Sequence, residues 1–142
     1  MDILVAYDGS EGSRRTLREA APLARAAGGT VILVRILDPR VDAADVTADT
    51  TAAAMAVVEK RALAEMHDAA VGLDVQSRAV VVTQERGEDT SEALIRAAQA
   101  EGADIIAIAT RRATGLSGVL LGSVTQGVLK NASIPVLVIR VG

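Results

Sequence analysis

From Ala103 to Arg140 the chain reads ADIIAIATRRATGLSGVLLGSVTQGVLKNASIPVLVIR. This is the pattern of a buried strand, a basic loop containing glycines, a helix opening at Gly122-Ser123 and a second buried strand. The run from Ala103 to Ala109 is apolar apart from Asp104, too short to cross a bilayer, and bounded by Thr110-Arg111-Arg112. A parallel strand covered on both faces fits it best. The basic loop then starts at that strand's carboxyl end, the edge of an open α/β sheet where ligands bind. Gly122 and Ser123 stand at the mouth of the next helix. The first amides of a helix lack internal acceptors, and the macrodipole adds about half a positive charge, so a phosphate is a natural partner there. Arg111 and Arg112 bring cationic donors to the same loop.

Working back toward the start, Ile3 to Tyr7 is a short apolar strand that breaks at Asp8-Gly9-Ser10. Ser10 predicts a helix N-cap, and Gly28-Gly29 predicts the stop, with Leu17, Ala20, Ala21 and Ala24 on the buried stripe. Pro22 is a misfit inside that helix. Thr30 to Ile36 is the second strand, interrupted by Arg35 alone. An acidic, aperiodic segment from Asp38 to Thr47 follows, long for a connection and expected as a loop. A helix from about Asp49 to Val71 carries Met55, Val58, Ala62, Met66 and Ala69 at helical spacing, which leaves His67 facing water. Val75 to Val82 reads as the third strand, and Asp89-Thr90-Ser91-Glu92 has the form of a capping box for a helix through Ala100. In the last helix Leu121, Val124, Val128 and Leu129 are expected to be buried. Ile134 to Val141 forms strand five, and Pro135 places it at an edge of the sheet. An open apolar edge pairs, so a homodimer through Ile134 to Val141 is expected. The order βαβαβαβαβ predicts one doubly wound α/β domain over residues 1–142, a five-stranded, mainly parallel sheet with helices on both faces.

Composition narrows the function. Half the residues are apolar, yet the chain has a single Tyr and no Phe or Trp. The stacking platforms that grip single-stranded nucleic acid are therefore missing, and a net charge of −3 argues the same way, so no nucleic-acid partner is expected. With no cysteine, disulfides, thiolate metal sites and cysteine nucleophiles are excluded, and one histidine cannot build a histidine-rich metal site. No secretory leader is legible and no apolar run is long enough to span a membrane, which makes the cytoplasm the expected location. P-loop chemistry needs GxxxxGK[ST], which the sequence lacks. A phosphoacceptor receiver domain wants an aspartate after strand three, where this chain has Thr83.

Taken together, ILVAYDGSEGS at the start, VILVRILDP at the second strand, ADIIAIA before the basic loop and GLSGVLLGSVTQGVLKNASIPVLVIR at the end resemble the universal stress protein family. The likeness spans the whole chain and is most specific at VLLGS followed by PVLVI. It implies an adenine nucleotide alpha hydrolase-like fold. The family has members that bind ATP, with a Gly-x2-Gly-x9-Gly-Ser/Thr motif, and members that do not. Here the nine-residue spacer Ala113 to Leu121 and Gly122-Ser123 are intact, but Ala109 and Arg112 replace the two earlier glycines. By this resemblance Asp8 and the backbone at Ile36 would hold the adenosine, the positions of Ala109 and Arg112 would approach ribose and phosphates, and Gly122, Ser123 and Val124 would receive the phosphates. Ala109 adds only a methyl group. Arg112 costs about 1–2 kcal/mol if its backbone needs positive φ, yet its guanidinium can itself pair with phosphate. The resemblance thus implies a homodimeric stress-response protein that senses or buffers ATP or a related nucleotide, with Mg2+ present only alongside the nucleotide. The other reading is a nucleotide-free dimeric interaction module. No general base is legible near Ser123, so at most slow ATP hydrolysis or autophosphorylation is expected, and not an enzyme proper.

Overall fold

The computed structural model describes residues 1–112 and 119–141, with the backbone alone at 111, 112, 119 and 120. Its elements in chain order are β1 (Ile3–Ala6), α1 (Glu11–Ala26), β2 (Thr30–Leu37), α2 (Pro39–Asp42), α3 (Thr51–Ala70) and β3 (Gln76–Thr83). They continue as α4 (Thr90–Glu101), β4 (Ile105–Ala109), a short ribbon of β5 (Arg111–Arg112) and β6 (Val119–Leu120), α5 (Ser123–Asn131) and β7 (Val136–Ile139). Five strands form one parallel sheet in the order β3-β2-β1-β4-β7, and β5 pairs β6 antiparallel outside it.

The earliest strand is therefore the middle one. Ile3 lies between Val31 of β2 and Ile105 of β4. Leu4 and Val5 are fully buried, as a parallel strand covered on both faces requires. Alternation along the strands divides the core. Ile3, Val5, Val31, Leu33 and Ala107 pack with Leu17, Ala20, Ala24 and Met66 from α1 and α3. Leu4, Ile32, Val34, Ile106 and Ile108 pack on the opposite face with Leu94, Ala97, Ala98 and Val128 from α4 and α5. Full burial of a side chain such as Leu4 contributes about 1.5–3 kcal/mol, so aliphatic residues supply nearly all of this core, with Tyr7 its one aromatic. Winding runs from β1 through β2 to β3, then α4 carries the chain across to β4 and the direction reverses. The switch point lies between β1 and β4, where the loops on their carboxyl ends part to opposite faces.

Several sequence expectations need correction. Leu121 and Leu129 are exposed, at 39% and 45%, and the buried residues of α5 are Thr125 and Val128. The first is ahead of the helix and the second lies on its outer face, while the hydroxyl of Thr125 turns inward to a backbone carbonyl. The segment after Asp38 is not wholly irregular, because the Asp38 side chain accepts from the Arg40 amide and caps the short helix α2. In α3 Ala62 and Met66 are buried as expected, but the buried residue of the first turn is Ala54, with Met55 only half-buried. The last strand is shorter than expected and Pro135 lies just before it. The strand still forms an edge of the sheet, beside β4. Pro22 stays within α1 on its exposed face, where water can reach the carbonyl it leaves without a donor.

Candidate functional site

A cavity of about 540 Å³ opens at the carboxyl ends of β1, β2 and β4. Each wall comes from a local sequence signal. After β1 the chain turns through Gly9, whose φ of 82° is a conformation that glycine adopts without strain. That turn lets the Ser10 amide donate to Asp8 Oδ1 at 2.9 Å, and Ser10 Oγ then caps α1 by accepting from the Ser13 amide. Although the Asp8 side chain reaches solvent, its surroundings are strongly polarised. Partial burial pushes its carboxyl up, but hydrogen bonds from Ser10 and Ser13 and the positive charge of Arg35 outweigh this and hold it below the ordinary aspartate range. The group is a carboxylate at neutral pH.

The second wall is the end of β2. Pairing with β1 stops at Ala6 opposite Val34, and the last bond is from the Tyr7 amide to the Val34 carbonyl at 2.9 Å. Because backbone groups alternate sides along a strand, Ile36 turns its N–H and C=O toward the space past the end of β1. No partner for either is present among the described residues. Ile36 thus offers one donor and one acceptor to the cavity that it lines.

The third wall is the opening of α5. Both α1 and α4 have side-chain caps, from Ser10 and from Asp89, whose carboxylate accepts from the Glu92 amide. At α5 the N-cap is Gly122, which has no side chain to offer. The amides of Ser123, Val124 and Thr125 find no acceptor among the described residues, and the first intrahelical bond is Gln126 to the Gly122 carbonyl at 3.0 Å. Thr125 fixes this helix to the sheet through its hydroxyl, which donates to the Ala109 carbonyl at 2.9 Å. Thr110 ties the end of β4 to that of β7, with its amide on the Ile139 carbonyl at 2.9 Å and its hydroxyl accepting from the Val141 amide at 3.0 Å.

Six of the seven expected site residues, Asp8, Ile36, Ala109, Gly122, Ser123 and Val124, line this one cavity. For the seventh, Arg112, the backbone pairs with Val119 in the ribbon, and its side chain lies outside the described residues, as do Gly115 and Gly118. Ala109 has an unexpected neighbour. Its methyl faces the first turn of α1, where a Cβ placed on Gly12 would come within 3.2 Å of it. The alanine is accommodated because position 12 is itself a glycine. Sequence reasoning missed Gly12, Thr110, Thr125 and Arg35, all of which line the cavity. For Arg35 a signal existed, since it is the one charge in the run TVILVRIL.

An uncapped helix mouth, a hydrogen-bonded aspartate and an overhanging strand end thus meet around one crevice, at the switch point where doubly wound α/β domains bind ligands. The chain belongs to the universal stress protein family, whose model matches residues 1–140. A universal stress protein of Thermus aquaticus is 30% identical over 145 residues, covering 97% of each chain. Universal stress protein MJ0577 of Methanocaldococcus jannaschii is 43% identical over 49 residues, which is 34% of this chain and 30% of that one. Its solved structure superposes with a TM-score of 0.77 at 24% identity, over 99% of this chain and 96% of that chain. The universal stress protein of Archaeoglobus fulgidus, solved in complex with dAMP, has a TM-score of 0.64 at 24% identity, over 97% and 96% of the two chains. Among the described residues, no helix is long and apolar enough to cross a membrane.

Proposed function

We propose that this protein binds an adenine nucleotide, ATP or a related one, as a sensor or buffer in a stress response, and that it acts as a homodimer. The observation that carries the reading is the meeting, in one cavity, of the uncapped amides of α5 with the unpaired N–H and C=O of Ile36. The first suits phosphate oxygens. The second suits a purine edge such as that of adenine, where a ring nitrogen accepts beside an amine that donates. Asp8, ionised and with one oxygen unused by the Ser10 amide, is placed to accept from the nucleoside. The fold neighbour solved with dAMP supports the same ligand class. Any Mg2+ would arrive with the polyphosphate.

The dimer rests on β7, whose half-buried residues Val136 to Ile139 form an open edge of the sheet. A nucleotide-free dimeric module is the second reading, favoured by the replacement of both early motif glycines by Ala109 and Arg112. Titration with ATP and Mg2+ decides between them. Saturable binding that Gly122→Glu abolishes is the expected result, because a carboxylate there repels phosphate and fills the helix mouth. An absence of binding at millimolar nucleotide would leave the dimeric module.

A further inference from the structure

Arg35 is buried in part, near the end of a strand otherwise built from apolar residues and one threonine. A guanidinium carries five N–H donors and is expensive to withdraw from water without partners. Its Nη1 donates to the Asp8 carbonyl at 2.5 Å. The following carbonyl, that of Gly9, accepts from Arg14 Nη1 on α1. Consecutive carbonyls of one turn are thus held by guanidinium groups that arrive from two different elements. Inside the same turn the Asp8 carboxylate is tied to the Ser10 amide at 2.9 Å. A peptide plane whose carbonyl is anchored cannot rotate freely, and its orientation sets the direction in which the side chain leaves the backbone. Binding to a group held in place this way avoids the ordering cost that a mobile turn would impose.

We propose that Arg35, assisted by Arg14, is a positioning residue for the nucleoside end of the cavity, holding the Asp8 carbonyl against β2 so that the Asp8 carboxylate stays turned toward the ligand. The proposal rests on the nucleotide-binding reading above. Arg35 bonds the Asp8 carbonyl, and in this proposal its effect on the ligand passes through Asp8. Its charge also favours the ionised form of that carboxylate, against the burial that opposes it.

A double-mutant cycle tests this, with ATP affinity measured calorimetrically on the wild type, Arg35→Ala, Asp8→Asn and the double variant. Each single change is expected to weaken ATP binding by about tenfold, the scale of one hydrogen bond to a charged group. The double variant should bind no more weakly than Asp8→Asn alone, because the arginine then has nothing left to position. Arg35→Lys, which keeps a charge and a donor, should recover most of the affinity, and it carries the comparison if the alanine variant fails to fold. Wild-type affinity in Arg35→Ala, or losses that multiply to about a hundredfold in the double variant, would overturn the positioning role while leaving nucleotide binding intact. If the wild type itself binds no ATP, both readings fall together.

Discussion

At the scale of single residues, the site depends on contacts made where side chains are absent as much as where they are present. Gly12 leaves room for the Ala109 methyl, and a Cβ added there would also come within 3.6 Å of Val141. Gly12→Ala should therefore lower thermal stability by about 1 kcal/mol through overpacking and weaken ATP binding. Ala109→Gly in the same chain should restore both, as read by melting midpoint and by titration. Asp8 gives a second residue-scale expectation, with a definite sign. Its folded pKa is depressed, so the stability it contributes is fully present above the unfolded aspartate value and is lost as pH falls through the lower, folded value. Urea midpoints taken from neutral pH down through that range should fall less steeply for Asp8→Asn than for the wild type.

At the scale of elements, α4 and α5 meet at one point of close approach. A Cβ on Gly127 would lie 2.2 Å from Ser91 Oγ and 2.6 Å from Ser91 Cβ. Gly127→Ala must push the two helices apart, and a loss of about 1–3 kcal/mol in denaturant unfolding is expected. Ser91→Ala will not rescue it, because the clash includes the Cβ that alanine keeps. The elements themselves were largely legible in the sequence. Ser10 and the capping box at Asp89 start helices, and VILV and IIAIA read as strands buried on both faces. What could not be read were features set by neighbours distant in the chain. The stripe of α5 was assigned from apolar residues, but Thr125 is inside because its hydroxyl finds the Ala109 carbonyl, and Leu129 is outside because α4 covers only one face. The candidate site was legible at Gly122-Ser123, where a helix mouth offers its free amides, and at Asp8 only through the family resemblance. It was opaque at Gly12 and Arg35, whose roles depend on what β4 and the first turn bring beside them.

At the scale of the whole molecule, β7 is an open edge of the sheet, and the proposed dimer depends on it. The carbonyls of Pro135 and Ile139 face β4, accepting from Ile106 and Thr110, so the backbone of Val138 points the other way, along the open edge. Val138→Pro should then remove an outward N–H without breaking the pairing to β4. Sedimentation velocity is expected to show a dimer for the wild type and a monomer for this variant. The central position of β1 has a further consequence, for how the chain reaches its shape during synthesis. Ile3 meets Val31 early, but its other partner, Ile105, is about a hundred residues downstream. Until that segment emerges, a nascent chain that has already joined β1, β2 and β3 presents its most apolar strand along a naked flank. Such distant pairing slows folding and invites association with other unfinished chains. Ribosome-bound intermediates halted before Ala103 should accordingly be the species that chaperones hold, and release from them should follow the arrival of β4.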